Sequence, residues 1–429
     1  MALRQENCEV VSPETIDPQN ELTVAPKRRL RSLDGLRGVA AMVVVGYHML
    51  LVVPSLSLAF GSADAVAGSI DWWLYRTPLR LFFAGHEAVL VFFVLSGFVL
   101  TLPLRPQLKQ TGSWLSYYGR RLVRLYLPVW GSIVFALILA LLVARNVNAT
   151  STWIAAHKPP TPLAVARDLL LLMGTSNLNS PLWSLRWEIW FSLLLPLMLF
   201  AIVILRMQHW WKTGAVLLAL LSTVVQFPLA ADILPGAFLT VGLGQYLPIF
   251  GIGMLLAFNL DSLDRYVAVL RRFRFPRTLW SVIVVVALLF IASPSFVSRP
   301  GVPYGVASAI AYFASVLGVI VVIFAAIEAK PFVRFLETRV VQWLGKRSFS
   351  IYLVHEPIVV ALALLTRADG WLPWIFIAIG LIPVILIVAE LFFRCVERPA
   401  HRLSRYVGHR LSPKPPQVVV PAVEASPSA

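Results

Sequence analysis

Charge is scarce in this 429-residue chain: Asp, Glu, Lys and Arg together make up 14% of it. A soluble domain carries about a quarter, so the supply is too small for a water-facing surface, and a soluble globular fold is excluded. Cysteine is scarcer still. Cys8 and Cys395 are the two present; they exclude a disulfide framework, their spacing suits no metal site, and no metal is expected. Acidic residues number 21 against 37 basic ones, a net charge of +16. In a soluble protein that excess would suggest nucleic acid. Here the basic residues lie between apolar runs and not in an interleaved basic and aromatic surface, so no nucleic-acid partner is expected. The first 26 residues lack the apolar core of a signal peptide, and the first apolar run is too long and follows a basic cluster, so the N-terminus is expected to stay in the chain.

What the chain has in abundance is apolar length. Hydrophobic residues make up 58% of it, and its mean hydropathy is +0.77. A helix needs about 20 apolar residues to cross a hydrocarbon core, because each residue rises about 1.5 Å. Runs of that order occupy 38–60, 81–104, 122–143, 187–205, 214–231, 236–258, 279–292, 302–327, 350–365 and 372–393, the seventh of them short. They predict an all-α polytopic integral membrane protein with about ten transmembrane helices and the bilayer as its first partner, in the plasma or inner membrane if the host is bacterial. Lysine and arginine collect on the cytoplasmic side. With the N-terminus inside, eight of the 37 fall on the opposite side, so both termini are expected in the cytoplasm. The longest external connection, 146–186, contains Asn148-Ala149-Thr150, an N-glycosylation acceptor that matters only in a eukaryotic host. Residues 1–30 and 406–429 read as disordered cytoplasmic tails around a membrane domain at 31–405. No inverted internal repeat of the transporter kind is visible.

Ionisable groups inside such runs cost several kcal/mol unless paired or wet, so each is a candidate for function. Arg37 leads into the first run and His48 lies within it. On one helix the eleven-residue step turns through about 1100°, which puts both on one face about 16 Å apart. That suits a ligand with an anionic head and a long arm ending in a reactive group, and a histidine can take a proton from a hydroxyl. The plainer reading is a histidine bonded between helices. Arg121 and Arg124, three apart where the third run leaves the cytoplasm, make a fork for phosphates, although any arginine there also helps to fix topology. Ser184 and Glu188, four apart, share a face at the external end of the fourth run, the plainer reading being an aromatic belt with a Glu188–Arg186 pair. Ser348, Tyr352 and His355 form a polar stripe on the ninth run. His355 either faces the cavity of His48 or bonds a partner between helices. His86-Glu87 is a further ionisable pair with no assigned role.

As an ordered set these segments resemble the acyltransferase-3 family of membrane-bound acyltransferases. The likeness rests on Arg31-Ser-Leu-Asp-Gly-Leu-Arg-Gly-Val-Ala-Ala with His48, Val91-Phe-Phe-Val-Leu-Ser-Gly-Phe, the Arg121 and Arg124 pair, Trp183-Ser-Leu with Glu188, Ser348-Phe-Ser-Ile-Tyr-Leu-Val-His355, and Val396-Glu-Arg-Pro399. It runs over residues 31–405. It implies an enzyme that moves an acyl group, commonly acetyl, from acetyl-CoA or another acyl-CoA to a hydroxyl of a carbohydrate, glycolipid or small molecule. By the same likeness Arg37 and His48 form the family's arginine, ten residues, histidine motif, and Arg121 with Arg124 its arginine pair. One departure is Trp187-Glu188, where many relatives have two consecutive acidic residues, so only Glu188 can be matched.

The expected site follows. Arg37, Arg121 and Arg124, with Arg347 grouped beside them, hold the phosphates of acyl-CoA. His48 either deprotonates the acceptor hydroxyl or carries the acyl group itself. Glu188 positions the acceptor or closes the external mouth, Tyr352 and His355 line the cavity, and Arg347 or Tyr352 is a candidate to steady the oxyanion. The rival reading of the residues is a proton-coupled transporter of an anionic solute, relaying a proton through His48, His355 and Glu188. It explains the buried titratable groups equally well, but not the eleven-residue spacing together with the arginine pair.

Overall fold

In hydrocarbon, backbone N–H and C=O groups have no water to bond, so spanning segments bond within themselves. The chain meets that condition with helices. The structure, a computed structural model, describes residues 31–59, 66–104, 114–145, 151–226, 237–270, 272, 276–297, 304–366 and 371–412, and no β-strand occurs among them. The helices used below are α1 (Arg31–Leu51), α2 (Gly85–Thr101), α3 (Trp114–Leu142), α4 (Thr152–Ala155), α5 (Pro162–Leu170), α6 (Leu182–Ile204), α7 (Trp211–Val224), α8 (Ala237–Phe258), α9 (Pro276–Ile291), α10 (Tyr304–Glu328), α11 (Arg339–Thr366), α12 (Trp371–Phe392) and α13 (Arg398–Arg410). Eight helices are long and apolar enough to cross a membrane, and α7 and α9 are shorter apolar helices. Each apolar run read from the sequence falls on one of these ten. Residues 1–30, the Asn148 triplet and residues 413–429 lie outside the described residues, as do the run ends at 60, 227–231, 236 and 302–303.

Helices α1 and α11 run parallel and pack closely, with Gly38 against Gly345 and, ten residues further on each, His48 against His355. The approach depends on missing side chains: a Cβ on Gly345 would stand 2.1 Å from the Asp34 carbonyl oxygen, and small residues are how membrane helices bring backbones together. Gly345→Ala is therefore expected to part the two helices and destabilise the protein by about 1–3 kcal/mol, the range for overpacking. Thermal unfolding of the detergent-purified variant checks this, and an unchanged midpoint would contradict it.

Two expectations are corrected. Residues 406–410, expected within a disordered tail, are helical: α13 continues to Arg410 with Ser404 and Gly408 buried and the Ser116 hydroxyl of α3 donating to the Gly408 carbonyl at 2.7 Å. Of the connection at 146–186, expected to be external, the described residues from 151 onward fold back beside α3. Tyr126 and Trp130 of α3 donate to the carbonyls of Leu170 and Leu169 at 2.7 and 3.0 Å, and Arg145 donates to those of Asn177 and Leu178, both at 3.2 Å. The second half of α3, from Tyr126 to Leu142 and about 24 Å of helix rise, together with the residues to Arg145, is thus flanked by the connector. Its irregular backbone is tolerated there because side chains of α3 satisfy its carbonyls. A window of hydropathy cannot see such bonds. Burial lowers the pKa of Arg145 from its ordinary value, and the carboxylate of Glu356 opposes that shift.

Candidate active site

The α1–α11 pair brings together two of the histidines singled out in the sequence. His355 Nδ1 faces the Ile351 carbonyl at 3.0 Å. A carbonyl can only accept, so Nδ1 carries the proton and Nε2 of His355 presents a lone pair. His48 Nδ1 stands 3.1 Å from that Nε2 and 3.0 Å from the Val44 carbonyl. Both neighbours are acceptors, so the proton of His48 sits on Nδ1. These tautomers are assigned from the hydrogen-bond partners. They leave Nε2 of His48 unprotonated and without a hydrogen bond among the described residues, in a side chain that is almost wholly buried.

The connector supplies a further histidine, His157, paired with a carboxylate of α11, which the sequence reading missed. His157 Nδ1 donates to the Trp153 carbonyl at 2.8 Å, and its Nε2 lies 2.5 Å from Glu356 Oε1. His157 and Glu356 share a proton across this contact, and the two side chains are 1% and 0% exposed. Trp153 stands between the histidines, its ring 5.6 Å from that of His48 and 4.7 Å from that of His157. Glu356 also acts on His48 through space. Its signal was a carboxylate within an apolar run, next to a histidine already singled out.

Tyr352 lies in this cluster, its ring 5.9 Å from that of His355. Its hydroxyl donates to the Pro181 carbonyl at 3.1 Å and lies 2.7 Å from the Ser184 hydroxyl. Its single proton is thereby committed. In this arrangement Tyr352 cannot also steady an oxyanion.

The four arginines divide into two pairs. Arg121 is held: its Nη2 lies 2.5 Å from Glu188 Oε1 and its Nε donates to the Ser192 hydroxyl at 2.9 Å. Ser96 adds a bond to the same carboxylate oxygen at 3.0 Å. Glu188, expected at the face opposite Arg121, is therefore its direct partner. The reason is that α6 starts well down the flank of α3, below the re-entering connector. Arg347 is held as well, by the carboxylate of Glu390, which also binds Arg394 at 2.5 Å, and it lies over the Trp343 ring at 4.4 Å.

Arg37 and Arg124 make no hydrogen bond or ion pair among the described residues. Arg124 is exposed, and Arg37, Arg121, Glu397 and Glu188 are the charged groups near it. Two neighbouring cations without bonded partners are the groups that an anion would neutralise. Glu397, another residue the sequence reading did not single out as functional, sits beside them in a π-helical turn over Phe393–Glu397 and accepts from the Ser350 hydroxyl at 2.5 Å. Such turns mark functional sites in many helices. Among the described residues no group of His, Cys, Asp and Glu could hold a metal.

Eight helices of spanning length and apolar composition, with His48 buried among them and Arg37 on the same helix, define a multi-pass integral membrane protein. The chain belongs to the acyltransferase-3 family, whose acyltransferase domain it matches over residues 30–391. It is similar to acyltransferase MdmB of Streptomyces mycarofaciens, 28% identical over 220 residues, covering 48% of this chain and 50% of that one. It is also similar to peptidoglycan O-acetyltransferase OatA of Listeria monocytogenes serovar 1/2a, 25% identical over 413 residues, covering 88% of this chain and 56% of that one. The chain thus spans about half the length of these curated relatives. No solved structure matches it.

Proposed function

We propose that the protein moves an acyl group, acetyl first among the candidates, from cytoplasmic acyl-CoA to the hydroxyl of an acceptor, across a bundle of ten spans with both termini in the cytoplasm. The relative directions of neighbouring helices support ten crossings: α7 runs antiparallel to α8 (Ser222 to the Gln245 carbonyl, Gly214 against Leu255) and α9 antiparallel to α10 (Trp280 by Phe324, Ser293 to the Ala311 carbonyl). The observation that carries the reading is the free Nε2 of His48, its tautomer fixed by His355, on the helix face that leads back to Arg37.

Arg37 and Arg124 take the phosphates of the donor, and its arm follows α1 toward His48. There Nε2 accepts the proton of the acceptor hydroxyl as its oxygen attacks the thioester carbon. The carbon–sulfur bond breaks, and the thiolate of CoA takes the proton back from the imidazolium. While His48 is charged, Glu356 stabilises it. The variant route, in which Nε2 itself attacks and is then relieved by the acceptor, uses the same atoms. Arg121 and Arg347 serve as ties to Glu188 and Glu390. The transporter alternative is set aside because nothing in the family match speaks for it.

Arg124→Ala is expected to raise the apparent KM for acetyl-CoA about tenfold to a hundredfold, the loss of one charge-assisted hydrogen bond of about 1.5–3 kcal/mol, with the acceptor KM nearly unchanged. Arg347→Ala should instead lower the thermal midpoint and leave the donor KM within about threefold, since a well-bonded ion pair is lost and no ligand contact. Steady-state kinetics with radiolabelled acetyl-CoA separates the two variants. A shift of the acceptor KM alone in Arg124→Ala would sink the donor assignment.

A further inference from the structure

Beyond the ends of α6 and α8, two of the helices of spanning length, lies a pocket of about 650 Å³ that the mechanism above does not use. Its size falls within the roughly 300–1,000 Å³ of small-molecule sites. The turn from α6 into α7 forms one side of it, and a helix over Leu260–Leu270 forms the other. His209, Lys212 and Arg265 line it, and no acidic side chain is among its described lining; Asp261, on the same helix as Arg265, is exposed and is not part of that lining. His209 and Lys212 have no ion pair or side-chain hydrogen bond among the described residues. Arg265 spends one of its five donors, Nη2 bonding the Ser262 hydroxyl at 2.9 Å.

Each feature restricts the ligand. Basic groups with no carboxylate among them select an anion, and a phosphate suits an ammonium beside a guanidinium. Trp211, Lys212 and Thr213 are also the first turn of α7, where backbone N–H groups lack helical partners and no side chain caps them. A quaternary ammonium headgroup is disfavoured by these cations, and the Tyr266 ring that would attract it already carries the Lys212 ammonium at 4.4 Å. Gln208 Oε1 is buried in the lining with no hydrogen bond among the described residues. A hydroxyl would satisfy it. Trp210 and Tyr266 of the lining are 40% and 42% exposed, as aromatic side chains at a membrane–water boundary are. Leu205, whose carbonyl accepts from the Trp210 indole at 3.1 Å, is 58% exposed beside them. A soluble phosphate gains nothing from that apolar flank, whereas a lipid covers it.

We propose that this pocket holds the headgroup of an anionic phospholipid, with its phosphate against Lys212 and Arg265 and a headgroup hydroxyl against Gln208. Binding there does not depend on acyl transfer. The test is native mass spectrometry of the full chain in detergent, titrated with phosphatidylglycerol, phosphatidic acid and phosphatidylcholine of one chain length. The first phosphatidylglycerol is expected to bind about thirtyfold more tightly than phosphatidylcholine, about fivefold for each of the two basic groups. Lys212→Gln with Arg265→Gln should remove that preference and leave the unfolding midpoint unchanged, since both side chains are exposed. Arg402→Gln with Arg410→Gln takes the same charge from exposed positions of α13 and should keep the preference within about twofold. Gln208→Leu should weaken phosphatidylglycerol about fivefold, one hydrogen bond's share, and leave phosphatidic acid, which lacks the headgroup alcohol, unaffected. Equal binding of phosphatidylglycerol and phosphatidylcholine by the wild type overturns the proposal, as does an equal loss in the α13 variant, which would make the attraction a diffuse one. Phosphatidylglycerol binding that Gln208→Leu leaves intact removes the hydroxyl contact. Displacement of the bound lipid by micromolar glycerophosphoglycerol would mark a site for a soluble phosphate and overturn the lipid assignment.

Discussion

Replacing His48 by alanine is expected to lower the rate of acyl transfer by about 10²–10⁴-fold, the usual contribution of a positioned general base, while acetyl-CoA still binds with nearly wild-type affinity. The separation follows from the geometry. His48 lies eleven residues along α1 from Arg37, so the groups proposed to hold the donor are remote from the one proposed to move the proton. His355→Ala should reproduce part of the loss, because His355 Nε2 is the acceptor that keeps the His48 proton on Nδ1. Single-turnover assays with labelled acetyl-CoA, run beside equilibrium binding, make the comparison. A His48→Ala protein that transfers at the wild-type rate would remove the base from the scheme. If acid quenching of the wild type traps label on the protein and His48→Ala traps none, the acyl-histidine route is the one in use.

The second large effect concerns stability. His157→Ala leaves the carboxylate of Glu356 buried with its main partner gone, and breaking a buried ion pair from one side costs about 3–5 kcal/mol. The cost falls on one region. The connector hangs from α11 through this pair, so the variant should show a lower unfolding midpoint together with faster hydrogen exchange over residues 151–181. Removing both charges, as in His157→Leu with Glu356→Leu, should recover most of the stability and none of the activity, since apolar pairs commonly replace buried ion pairs without loss. A single variant as stable as the wild type, with the connector still protected, would mean that the pair is not what fastens it.

The sequence made the helices legible because apolar runs of spanning length have few other solutions. It also made the Arg37–His48 axis legible, since both residues lie on one helix and a fixed rise and turn relate them. Partnerships between distant segments were not legible. Glu188 was assigned to the far face on the premise that each run fills its span from edge to edge, whereas α6 begins beside the lower half of α3. Arg347 was grouped with ligand-binding arginines because its tie, Glu390, comes 43 residues later on another helix. His157 lies in a proline-bearing connection with no periodicity to suggest burial. Nothing local distinguishes it from a surface histidine, and its meaning comes wholly from Glu356, 199 residues away.

The pairing of α1 with α11 also bears on how the protein is made. His48 enters the membrane with the first helix, and His355, its partner, is 307 residues further along the chain. During synthesis the first helix therefore waits through most of translation with an imidazole that lacks one of the two acceptors at its Nδ1. Until α11 inserts alongside it, the Val44 carbonyl alone holds the His48 proton on Nδ1, and a nascent chain lacks the second acceptor, His355 Nε2. Completion of the bundle is thus also the step that completes the histidine pair.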